Sequence, residues 1–216
     1  SGAVPADSAG AGPAGTVAAG DSGAPAGADS AVRRDSTRGG PPADGPLLAL
    51  VVANPGDSAR AVAWTVYVVS GNTPEAASLD ARVDLAALPV LALTPLLDRG
   101  EPWYRLLVGA YATRAEADSL LVALRRRAVL GAASGSLVRA PYALLVADRL
   151  PAAEVAARVG ALAGRGVPAY PLSRGDGTVT LYAGAFETPE QAAFLARTLQ
   201  AAGVPPVLVF RTGRSL

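Results

Sequence analysis

Between residues 63 and 211 the hydrophobic positions follow two rhythms. Short runs that alternate, or are rich in β-branched and aromatic side chains, occur at 63–70, 89–96, 103–110, 136–139, 142–148, 167–173, 178–185 and 207–211, and predict strands. Apolar residues three and four apart at 74–88, 114–127, 151–164 and 188–202 predict helices. Pro74 and Pro151 stand where a first helical residue would be, their favoured place. The clearest passage is 103–124, WYRLLVGAYATRAEADSLLVAL: a strand, a small turn at Gly109-Ala110-Tyr111, then a helix opened by a capping box of Thr113 and Glu116. Ala117, Leu120, Leu121 and Leu124 form its apolar stripe.

The passage recurs about 75 residues later at 179–199, where Gly184-Ala185-Phe186 replaces Gly109-Ala110-Tyr111 and Gln191 replaces Glu116. The element order is β-α-β-β-α-β, twice. The predicted fold class is α+β: two tandem ferredoxin-like domains, each a four-stranded antiparallel sheet with two helices on one face. The first domain is placed at 46–140, with an extra N-terminal strand at 46–53, and the second at 141–216. Asn54-Pro55-Gly56-Asp57 is a turn signal closing the extra strand. In a rival register 47–53 is the first strand and 57–69 the first helix. The β-branched content of 65–69 favours a strand there.

Composition separates the remaining 45 residues from this folded part. The chain is 50% hydrophobic, yet it carries 24 Gly and 18 Pro and only 5% aromatics, and residues 1–45 are almost entirely Ala, Gly, Pro, Ser and Asp. Such a segment buries too little apolar surface to offset the entropy of ordering, so 1–45 reads as a disordered tether. Arg33, Arg34 and Arg38 are its one basic cluster. The absence of Cys and His excludes disulfides, thiol nucleophiles, imidazole bases and conventional zinc sites, and no cofactor is expected. A formal net charge of +1 gives no basic stripe for nucleic acid, and Arg125-Arg126-Arg127 suits a helix C-terminus.

At this point the residues carry a family resemblance. Trp103-Tyr104-Arg105-Leu106-Leu107-Val108-Gly109-Ala110-Tyr111, and less closely Thr180-Leu181-Tyr182-Ala183-Gly184-Ala185-Phe186, resemble the second half of a SPOR (sporulation-related repeat) domain. The element order, the length and a Pro/Ala-rich tether agree with two tandem copies. The resemblance implies binding of peptidoglycan, especially glycan strands stripped of their stem peptides and often at the division septum, on the sheet face that helices leave open. The first strands of both copies diverge. Val68 and Leu145 stand where the family commonly has glutamine, and Ser70 and Ala147 where it has glycine.

Strand parity selects the residues that could touch a ligand. Tyr104, Leu106 and Val108 form the more continuous apolar set and should face the helices, which leaves Trp103, Arg105 and Leu107 on the open face. In the second copy Val179, Leu181 and Ala183 go inward, and Thr180 and Tyr182 outward. Alignment of the first strands with the family puts Trp64, Val66 and Val68 outward in one copy, and Ala143 and Leu145 in the other. The candidate glycan-binding residues are therefore Trp64, Trp103, Arg105, Thr180 and Tyr182. Open faces this apolar have three competing explanations: a ligand platform, an interface between the repeats, or a surface capped by 47–53.

Carboxylate pairs that a glycosidase could use are Asp80 with Asp84, Glu116 with Asp118, Glu187 with Glu190, and Asp98 with Glu101, but none has a context that excludes water. The expected function is a non-catalytic peptidoglycan-binding protein of the bacterial periplasm or cell envelope. Its expected partners are glycan strands and other envelope or division proteins, with no nucleic acid, and with membrane contact only through an anchor preceding Ser1. The alternative is a structural or protein-interaction module whose repeats pack together and bind no glycan.

Overall fold

Both halves of the chain build the same kind of sheet. The structure, a computed structural model, describes residues 50–79 and 88–215. All of them fall in one compact unit. The tether expected at 1–45 lies outside the described residues, as does 80–87 of the first expected helix.

The first half contains strands β1 (Trp64–Gly71), β2 (Leu91–Asp98), β3 (Glu101–Tyr111) and β4 (Ser136–Arg139), with helix α1 (Arg114–Arg126) between the last two. The second contains β5 (Tyr142–Pro151), α2 (Val155–Ala163), β6 (Ala169–Ser173), β7 (Thr178–Phe186), α3 (Ala193–Ala201) and β8 (Val207–Phe210). The sheets run β2-β3-β1-β4 and β6-β7-β5-β8, with every neighbouring pair antiparallel. The chain is thus an α+β fold of two four-stranded antiparallel sheets with helices. Residues 65–69 are strand and Pro55–Arg60 is a short 3-10 helix, as the favoured register requires.

Local signals act where the sequence places them. Thr113 and Glu116 form the reciprocal capping box at the start of α1. Thr73 caps a turn by accepting the Ala76 N–H at 3.1 Å. In the second half Gln191 accepts the Glu187 N–H at 2.9 Å, the counterpart of Glu116. Val66, Val68 and Val108 pack with Leu121 and Leu124 of α1 in one core. Val179, Leu181, Ala183 and Phe186 pack with Leu195 and Leu199 of α3 in another.

Gly109 and Gly184 are not turn residues, as the sequence pattern suggested, because β3 and β7 run through them. They stand at matched register irregularities, between Trp64↔Tyr111 and Val66↔Val108 in one sheet and between Tyr142↔Phe186 and Leu144↔Ala183 in the other. With φ of 79° and 66°, both adopt the left-handed backbone of a β-bulge. A Cβ on Gly184 would strike the Phe186 ring and Leu195, and one on Gly109 would strike the Tyr111 ring and Leu120. The Gly-Ala-aromatic signature is therefore a bulge over which the aromatic ring folds onto the following helix.

The extra strand expected for the first unit goes elsewhere. Its described residues lie against β8, where Val52 forms a single parallel bridge with Leu208 and the Ala53 N–H donates to Leu208 at 2.8 Å. β8 is the edge of the second sheet, and an edge strand offers unpaired backbone groups that a nearby segment satisfies. Asn54 extends the pairing through its side chain: it accepts the Phe210 N–H at 2.6 Å and donates to the Phe210 carbonyl at 3.1 Å.

Gly184→Ala is expected to cost about 2–4 kcal/mol, from left-handed strain plus overlap with the ring. Gly166→Ala, also at positive φ but with nothing within 4 Å of its Cβ, should cost only about 1 kcal/mol. Urea denaturation of the two variants measures the difference.

Candidate functional site

The face that each sheet turns away from its helices is largely occupied by the other half of the chain. Ala92, Leu107 and Ala110 of the first sheet share one core with Ala143, Tyr170, Leu172, Tyr182 and Val209 of the second. Thr94, 1% exposed, accepts the Ala185 N–H across this interface at 2.9 Å. Arg105 reaches Glu187 of the other half at 2.8 Å. Of the three explanations for the apolar faces, the structure shows packing between the two halves of the chain.

Parity on β3, β5 and β7 is as expected, since Leu107, Ala143, Leu145 and Tyr182 belong to the shared core while Val108, Leu144 and Leu181 face helices. Parity on β1 is reversed. Val66 and Val68 are inward on α1, and Tyr67 turns to the shared core. Trp64 is half-buried and the Arg114 guanidinium, at the start of α1, sits 5.7 Å from its ring centre. The expected outward positions of Trp64, Val66 and Val68 are thus overturned: a one-residue shift of register moves every side chain to the opposite face. Trp103 is half-buried on β3, opposite Leu96. Arg105 is committed to Glu187. Thr180 and Tyr182 lie on the expected face but are buried, at 2% and 3% exposure.

Tyr182 is held by the residues that follow β8. Its hydroxyl accepts the Thr212 N–H at 3.2 Å. Ser173 and Arg214 then exchange backbone hydrogen bonds, each 2.9 Å, so residues 211–214 cross from the β8 edge of the sheet to β6. Arg211 is fully buried beneath this crossing. Its Nη1 donates to the Tyr170 hydroxyl at 3.4 Å, which in turn donates to the Gly184 carbonyl at 2.8 Å. The Arg211 Nε and Nη2 have no hydrogen-bond partner among the described residues. Burying a cation without an acid costs several kcal/mol, so apolar burial must outweigh this at the interface. Burial raises the Tyr170 pKa, against a smaller opposing effect of Arg211.

Over the second sheet a cavity of about 570 Å³ stays open beside the shared core. Leu145, Thr180, Tyr182 and Val209 form its floor. Asp148, at the irregular end of β5, accepts from Arg174 Nη1 at 2.6 Å and from the Thr180 hydroxyl at 2.8 Å. On another wall Asp57 receives Arg60 and, at 3.0 Å, the Asn54 amide. The hydrogen bonds from Arg60 first, then Asn54, hold the Asp57 carboxyl below its usual range. Arg214 completes the wall, and no hydrogen bond or ion pair engages its guanidinium among the described residues. The lining therefore carries three arginines against two aspartates.

The structure brings two of the five sequence candidates, Thr180 and Tyr182, to this cavity, and leaves Trp64, Trp103 and Arg105 outside it. Asn54, Asp57, Arg60, Asp148, Arg174 and Arg214 were not singled out by sequence. Asn54-Pro55-Gly56-Asp57 and Arg174-Gly175-Asp176-Gly177 read as turns, and nothing local shows that a segment ahead of one sheet docks on the other. Three of the described candidate carboxylates, Glu116, Glu187 and Glu190, do structural work. Hydrogen bonds from Thr113 depress the Glu116 pKa, those from Thr188 depress that of Glu190, and Glu187 pairs with Arg105. Asp80 and Asp84 lie outside the described residues.

Residues 61–133 match the SPOR domain family. The match spans β1 to α1 and their bulge at Gly109, and the second half of the chain is outside it. SPOR domains are peptidoglycan-binding modules rather than catalysts, and they occur in bacterial envelope proteins. No curated protein and no solved structure matches the chain.

Two outcomes are expected from the packing of the two halves. Thr94→Val, nearly isosteric, leaves the buried Ala185 N–H without an acceptor and should lower stability by about 1–3 kcal/mol in urea denaturation. Because the folded protein keeps the Tyr170 proton where the unfolded chain releases it, stability should fall as pH rises past about 10. Tyr170→Phe should flatten that decline in melts between pH 8 and 11, leaving the part due to Tyr111, whose pKa is also raised by burial.

Proposed function

We propose that this chain is a non-catalytic peptidoglycan-binding protein of the bacterial cell envelope, made of two tandem ferredoxin-like SPOR units at 46–140 and 141–216 behind a tether at 1–45. The observation that carries the reading is the SPOR match at 61–133. Three features support extending it to the second unit: the same strand order, the same bulge glycine and the same ring folded over it. The proposed ligand is the glycan strand stripped of stem peptides, and the proposed setting is the periplasm, with other envelope or division proteins as further partners. Among the described residues no helix is long and apolar enough to cross a membrane.

The glycan contact cannot use the whole sheet face in this packed arrangement. We place it in the cavity beside the second sheet, whose lining includes the buried Thr180 and Tyr182 together with the exposed Arg60 and Arg214. Trp64 and Arg105 drop out of the proposed contact, because one stacks beneath Arg114 and the other pairs with Glu187. A second reading, an interaction module whose packed repeats bind no glycan, is favoured by the core that the two sheets share.

Co-sedimentation of the full chain with purified sacculi, untreated or digested with an amidase that removes stem peptides, separates the two. Retention is expected on both, and greater on the digested preparation. A protein that stays in the supernatant with both preparations leaves the interaction-module reading.

A further inference from the structure

We propose that a second cavity, a cleft between β2 and β3 of the first half and the C-terminal ends of α2 and α3, binds a single-chain amphiphile: an acyl chain carrying one anionic head, which Arg165 holds. This goes beyond the glycan reading and does not depend on it.

The cleft has a volume of about 860 Å³, in the range of pockets that enclose a small ligand. Leu93, Pro95 and Tyr104 form one wall, and Val167, Pro168 and Phe194 the other. Leu93 and Pro95 stand opposite Leu106 and Tyr104, which alternate in step with Val108 on the α1 side of the first sheet. The cleft therefore lies off the shared core, and it has no lining residue in common with the cavity at Thr180 and Tyr182.

The lining suits hydrocarbon better than a sugar. The Thr198 hydroxyl already donates to the Phe194 carbonyl at 3.4 Å, which leaves the Tyr104 phenol as the other side-chain hydroxyl in the cleft. A hydrocarbon chain gains by leaving water there, whereas sugar hydroxyls would lose hydrogen bonds that the walls do not replace.

Charge supplies the head. Among the described residues Arg165 is the one charged member of the lining. It is exposed, and no hydrogen bond or ion pair engages its guanidinium among the described residues. Arg165 follows the end of α2, and its Nη2 lies 3.3 Å from where a Cβ on Gly203, just beyond α3, would stand. Helix C-termini are negative, so this rim would repel an anion if Arg165 were not there. With Arg165 in place, one guanidinium faces one anionic head. An apolar body with a single anionic end is the chemistry of an acyl amphiphile.

Titration calorimetry of the full chain tests this with decanoate below its micelle concentration, with decanamide, and with a short apolar peptide ending in a free carboxylate. Decanoate should bind at least about 10-fold more tightly than decanamide. It should also raise the thermal midpoint as its concentration rises, because it binds only the folded chain. Arg165→Ala should reverse the order of acid and amide, since the bare helix ends then disfavour the anion. Ala201→Trp, which fills the cleft from an exposed position, should remove binding of both. Equal affinity for decanoate and decanamide, or decanoate binding unchanged in Arg165→Glu or in Ala201→Trp, would overturn the site. Tighter binding of the peptide than of decanoate would overturn the amphiphile in favour of a protein partner. Failure of decanoate to bind, with retention on sacculi intact, would remove this proposal and leave the glycan reading standing. Decanoate binding by a protein that sacculi do not retain would remove the glycan reading alone.

Discussion

A sheet with helices on only one side has to do something with its other face, and here both sheets present apolar residues there. Leu107 and Ala110 on one, and Tyr170, Leu172 and Tyr182 on the other, would leave a large exposed hydrophobic patch if the halves stood apart. Packing the faces together removes that patch, and most of the other features follow from it. Thr94 and Arg105 lie across the contact because the first sheet presents β2 and β3 to the end of β7. Of these, the exposed Arg105–Glu187 pair is worth only about 0–1 kcal/mol, so apolar burial and the satisfied Ala185 N–H dominate the interface.

The contact has a cost and a remainder. The cost is Arg211, a buried guanidinium that among the described residues meets only a tyrosine hydroxyl. The remainder is the part of the second sheet that the first does not reach. Two segments from distant parts of the chain border it, the stretch at 52–60 and the crossing at 211–214, and each is fixed by backbone pairing, helped at Val52 by packing on the second core. Polar side chains are tolerated at that rim because water remains in contact with them. A charged cavity therefore forms beside an apolar core. The sheet face that helices leave open becomes, in this arrangement, half of an interface.

The sequence by itself determined the strands, the helices described here and the faces of β3, β5 and β7. Those features depend on neighbours within a few residues: alternation, helical spacing, a capping box, and a glycine whose absent Cβ lets Tyr111 or Phe186 fold back. Only the tertiary structure decided the face of β1, the docking of residues 52–54 on β8, the pairing of Arg105 with Glu187, and the gathering of Arg60, Arg174 and Arg214 around one cavity. Trp64 shows the reason most plainly. Irregular register with β3 decides which way β1 turns, and that register is fixed by contacts some forty residues away rather than by the alternation of β1 itself. The same holds between the halves, because an apolar face records that it must be covered and its residues do not record by what.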